Sequence, residues 1–99
     1  MYQQLLQHVA QPLTIPTLGE RREITFEFSD GQILLFYSYG NSFLINEEFF
    51  NLVRDQYINL DDNVRDMASS YSQPKWENCP NIVIAPYVAA LIHHFRNLL

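Results

Sequence analysis

Asp30-Gly31 lies between two β-prone runs, EITFEFS and QILLFYS, and this dipeptide constrains the fold more than any other feature of the chain. In a two-residue type I′ hairpin turn both central residues take positive φ, which aspartate and glycine tolerate. Such a turn sets the register: Ser29 faces Gln32, and the pairs Phe28/Ile33, Phe26/Leu35 and Ile24/Tyr37 line one face of the ribbon. On the opposite face Glu27 meets Leu34, Thr25 meets Phe36 and Glu23 meets Ser38. The first strand therefore alternates apolar and polar residues. The second is apolar on both sides, the pattern of a strand covered on both faces.

Gly40-Asn41 predicts a second turn, with glycine in the first position of a type II′ geometry. Ser38 then faces Phe43 and Phe36 faces Ile45, which gathers Leu34, Phe36, Phe43 and Ile45 on the second face as candidate interface residues. A one-residue slip in this turn would carry Phe43 and Ile45 to the first face instead.

Around this meander the pattern is helical. Tyr2, Leu5, Leu6 and Val9 fall at helical spacing before Pro12, which predicts a helix over residues 2–10. A helix so short is marginal alone and must dock on a sheet face. Residues 11–19 read as an extended linker with apolar pegs at Leu13, Ile15 and Leu18. Asn46 is an N-cap for EEFFNLVRDQYINL, with Glu47 and Glu48 in the first turn and a stripe of Phe49, Phe50, Val53, Tyr57 and Leu60. Asp61 or Asp62 caps a further short helix through NVRDMASSY, with Val64, Met67, Ala68 and Tyr71 inward. Gln73 to Asn81 is irregular, and Ile82-Val83-Ile84 is long enough for a short extra strand. Pro86 opens a last helix over residues 86–99. One side carries Tyr87, Val88, Leu91, Ile92, Phe95, Leu98 and Leu99, and the other Ala89, Ala90, His93, His94, Arg96 and Asn97. The expected fold class is α+β: a small antiparallel β-meander of about three strands packed with N-terminal, middle and C-terminal helices, in one domain spanning residues 1–99.

A chain of 99 residues buries roughly two-thirds of its unfolded surface, enough for a core without metal or disulfide. With 47% hydrophobic and only 17% charged residues, few charges remain to coat the exterior, and leftover apolar area marks an interface. The net charge of −5 has the wrong sign for holding a phosphate backbone, which argues against direct nucleic-acid binding. Arg21 and Arg22 are adjacent, but the other cations are scattered and form no basic stripe. A single cysteine leaves no partner for an intrachain disulfide and no Cys-based zinc cluster. No run is long and apolar enough for a transmembrane helix, and MYQQLLQHVAQ lacks the pattern of a secretory signal, so a cytoplasmic protein with no membrane partner is expected.

Chemistry-bearing residues are sparse. Cys79 with His93 or His94 would be needed for nucleophilic catalysis, yet nothing around Cys79 resembles a catalytic signature, and free cysteine commonly serves as a small buried hydrophobe. His93 and His94 are adjacent and diverge on a helix, so they cannot easily share one ion. Glu47/Glu48 and Asp61/Asp62 sit at helix starts, where the macrodipole accounts for them. The acidic stretch 47–66 also fits a basic partner, or an accessory of a nucleic-acid enzyme. Tyr71, Lys75, Trp76 and Tyr87 cluster around the proline-bearing loop SQPKWENCPN, where an aromatic plane and a cation could hold an acidic or planar ligand. A loop tryptophan also serves as a lid over the core. The leading expectation is a non-enzymatic assembly module, a homodimer using Leu34, Phe36, Phe43 and Ile45 or the 86–99 helix, with no cofactor and no metal. Ligand binding or catalysis at the Trp76 loop, and acidic mimicry, are the alternatives.

Overall fold

The structure is a computed structural model that describes residues 1–99. Strands β1 (Leu13–Pro16), β2 (Glu23–Ser29), β3 (Gln32–Ser38) and β4 (Asn41–Ile45) form one antiparallel sheet in chain order. Helices α1 (Tyr2–His8), α2 (Glu47–Asn59) and α3 (Ala85–His94), with short 3-10 turns at Ala68–Tyr71 and Arg96–Leu98, complete an α+β fold.

The β2–β3 hairpin matches its turn chemistry. Asp30 and Gly31 take φ of 49° and 80°, and the paired residues run from Ser29↔Gln32 to Thr25↔Phe36. The meander has one more strand than expected. Residues of the supposed linker pair with β2 as Leu13↔Phe26, Thr14↔Thr25 and Ile15↔Ile24, and the hydroxyls of Thr14 and Thr25 lie 2.9 Å apart. The pegs Leu13 and Ile15 point inward. A four-residue edge strand that follows Pro12 and ends on Pro16 has little strand signal of its own and exists because β2 offers it a ladder.

The second turn corrects the sequence expectation. Ser38 pairs with Asn41, so Tyr39 and Gly40 are the central residues. Gly40 is second rather than first, with φ of 68°, and Asn41 Nδ2 donates to Ser38 Oγ at 2.7 Å. A bulge between Phe36 and Ser38 follows, and Phe36 faces Ser42 while Leu35 faces Phe43 and Ile33 faces Ile45. Phe43 and Ile45 thus turn toward the core, away from the face that bears Leu34 and Phe36. A bulge adds one unpaired residue and reverses which face the following residues occupy.

The inward face carries Ile15, Ile24, Phe26, Ile33, Leu35 and Ile45, members of one cluster of 21 buried residues that includes the apolar stripes of all three helices. Tyr2 pins α1 to the sheet. Its buried hydroxyl donates to the Ile45 carbonyl at 2.6 Å and accepts from the Ile33 amide at 3.1 Å, closing the β3–β4 ladder at its far end. Asn46 Oδ1 caps α2 by accepting from the Phe49 amide at 2.8 Å. At the other end Arg65 donates to the carbonyls of Tyr57 and Ile58 at 2.9 and 2.8 Å, and so satisfies acceptors that a helix C-terminus leaves open.

Residues 61–67 form turns rather than the expected helix, and only Ala68–Tyr71 is helical, as a 3-10 turn. Met67 and Ala68 consequently face solvent, while Tyr71 reaches the core. Ile82–Ile84 is no strand. Asn81 Oδ1 accepts from the Val83 and Ile84 amides, each at 3.1 Å, and starts the turn that leads into α3. The last helix ends at His94, and Ala89 and Ala90 are buried along with Val88, Leu91 and Ile92. Their small side chains let α3 pass between the sheet and the Ala68–Tyr71 turn, so most of its length lies in the core, while Leu98 and Leu99 beyond it are exposed. No helix is long and apolar enough to cross a membrane.

Candidate interaction surfaces

The outward sheet face has no helix over it. Leu34 pairs with Leu44 and Phe36 with Ser42 across β3–β4, and Thr25 and Glu27 oppose Phe36 and Leu34 across β2–β3. Phe36 is 39% exposed and Leu44 46%, with Leu34 half-buried between strands. Tyr39, at the β3–β4 turn, projects fully into solvent. Of the four residues the sequence nominated for this face, the structure keeps Leu34 and Phe36 and turns Phe43 and Ile45 inward. Leu44 takes their place, because the bulge gives it the outward position. Phe43 instead packs edge-on against Phe49, with ring centroids 5.9 Å apart.

The loop quartet does not converge. Tyr71 is fully buried, and its hydroxyl donates to the Arg65 carbonyl; burial pushes that hydroxyl well above its usual range, so it stays neutral. Trp76 is half-buried and packs against the core, the lid position, while Lys75 beside it is exposed. Tyr87 lies elsewhere, tilted against Tyr37 at 5.6 Å. The Arg22 guanidinium sits 5.2 Å from the Tyr87 ring centroid and also donates to its hydroxyl. Tyr87 lines a concavity of about 750 Å³ with Arg21, Arg22, Leu18, Met67 and Val83. The sequence could have hinted at this place only through the Arg21-Arg22 pair, since Met67 was expected inside a helix that does not form.

The remaining reactive groups have structural partners. The Cys79 thiol donates to the Tyr71 carbonyl at 3.3 Å. Burial pushes its pKa up, partly offset by a hydrogen bond from the Asn81 backbone, which is the opposite of an activated nucleophile. His93 is not a plain surface histidine: Nδ1 lies 2.8 Å from the Tyr57 hydroxyl. Burial and the nearby Arg96 lower its pKa, with Asp66 opposing. Among the acidic residues, Glu47 accepts from Gln3 at 3.0 Å and Asp62 pairs with Arg65. No family model, curated protein or solved structure matches the chain.

Proposed function

We propose that the chain is a non-enzymatic interaction module that pairs with a second copy of itself through the outward face of its sheet. The observation that carries this reading is the apolar set Leu34, Phe36 and Leu44, adjacent across β3 and β4 with no segment of the chain above it. Antiparallel sheets with one solvated face normally place polar residues there. A second copy offers the same residues, so a two-fold arrangement buries like against like, and Tyr39 at the rim adds an aromatic of the kind that anchors interfaces.

The size of the face sets the strength of the pairing. Four strands ~4.8 Å apart and about five residues long at ~3.4 Å each give a footprint of roughly 19 by 17 Å. That is smaller than the ~800 Å² per partner of a standard interface, which favours a reversible, concentration-dependent dimer over an obligate one. Size-exclusion chromatography with light scattering over a concentration series tests this. The expected mass rises from 11.7 kDa toward twice that value as concentration reaches the high micromolar range. A mass that stays monomeric throughout refutes the proposal.

A further inference from the structure

The concavity beside Tyr87 has a different composition from the sheet face and is independent of self-association. We infer that it is a docking groove for an extended acidic peptide segment of a protein partner, one that carries a bulky apolar residue next to an aspartate or glutamate.

Apolar surface is exposed here. Met67 is 48% and Val83 57% exposed, and both line the groove with Leu18 and Tyr87. Methionine adapts to varied apolar side chains, which suits a peptide-binding floor. The Asn81 side chain that caps the Val83 and Ile84 amides holds Val83 outward.

The charge is complementary to an acidic partner. In a chain of net charge −5, the adjacent pair Arg21 and Arg22 stands at the groove with no carboxylate paired to either; the one salt bridge of the protein is Arg65–Asp62. Arg22 is steadied by Tyr87. Asp66 lies along the lining and Glu20 in the depression that adjoins it, where they repel an acidic group placed away from the arginines and so orient the segment. The loop that carries both arginines is tied down: the Thr17 amide donates to the Arg22 carbonyl at 3.0 Å and the Glu20 amide to the Thr17 carbonyl at 2.8 Å.

The shape is elongated. A second depression, of about 360 Å³, shares Thr17, Leu18, Gly19 and Asp66 with the groove. The two adjoin along the β1–β2 loop, which fits a chain segment better than a compact ligand.

The test pans a phage-displayed library of random peptides on the full chain, with counter-selection on the Arg21→Glu/Met67→Asp variant. Enriched peptides should pair Asp or Glu with Leu, Phe or Trp. In fluorescence anisotropy, Arg21→Glu and, separately, Val83→Asp should each weaken their binding by at least about tenfold. Added salt should weaken it further. Both substituted positions are exposed, and an unchanged thermal melt verifies folding. On the wild-type protein, methyl NMR should show the peptide moving the Met67 and Val83 signals. No enrichment, enrichment of basic peptides, or methyl shifts at Leu34 and Leu44 in place of Met67 and Val83 would overturn the inference. So would conversion of a dimer to a monomer by the groove variant, which would make a second copy the occupant.

Discussion

Replacing Phe36 with threonine removes the largest side chain of the outward face while placing a β-branched, strand-compatible residue in β3. A phenylalanine presents about 200 Å², and Phe36 is 39% exposed, so about 80 Å² awaits a partner. At ~25 cal/mol per Å² this is about 2 kcal/mol for each copy. A two-fold interface loses it twice, about 4 kcal/mol, or about a thousandfold in dissociation constant. The threonine methyl restores part of that contact, leaving a weakening on the order of a hundredfold. Sedimentation equilibrium on wild type and Phe36→Thr reads the constant directly, and Thr14→Ser at the polar rim of the same face is the control expected to change nothing. A shift of less than about fivefold with an intact thermal melt would refute the placement of the interface on this face.

Three further outcomes follow from particular contacts. Tyr2→Phe leaves the Ile33 amide and Ile45 carbonyl without the hydroxyl they share; a loss of about 2–3 kcal/mol, or roughly 10–20 °C in melting temperature, should show in thermal denaturation, and an unchanged melt would mean that the hydroxyl contributes nothing net. Arg65→Ala uncaps α2 and should cost about 1–2 kcal/mol, with faster amide exchange confined to the last turn of that helix; lysine, which lacks the planar fork, should restore little of it. His93 has a folded pKa below its ordinary 6.5, so the unfolded chain binds its proton first. Its contribution is therefore complete above about pH 6.5 and is lost as pH falls through the folded value. The difference in stability between wild type and His93→Gln should narrow on acidification across that window, and a constant difference would exclude this linkage.

Much of the fold is legible in local chemistry. The Asp30-Gly31 dipeptide predicts its turn and the β2–β3 register because both positive φ values belong to two adjacent residues. Asn46 predicts the start of α2 for a similar reason, since the capping side chain and the capped amide lie within three residues. The fold departs from local chemistry where the deciding partner is distant. Leu13–Pro16 becomes a strand only against β2, and residues 61–67 leave the helix because Arg65 turns back to cap α2. Of the candidate site, Leu34, Phe36 and Tyr87 were legible as residues, but the surfaces they join were not. Met67 reaches the groove from a turn with no periodic pattern, and Leu44 reaches the sheet face only through a bulge.

By itself, then, the sequence determined the β2–β3 hairpin, the three α-helices around the sheet, and a middle strand with apolar residues on both sides, all properties of neighbours along the chain. Tertiary structure decided which side of that strand the chain covers. One bulge at Tyr37 sends Phe43 and Ile45 inward to meet α1 and α2, which leaves Leu34, Phe36 and Leu44 uncovered. A period of two gives a strand's faces but carries no mark of which face is inside. Only the three helices, all packed on the same side, make that choice.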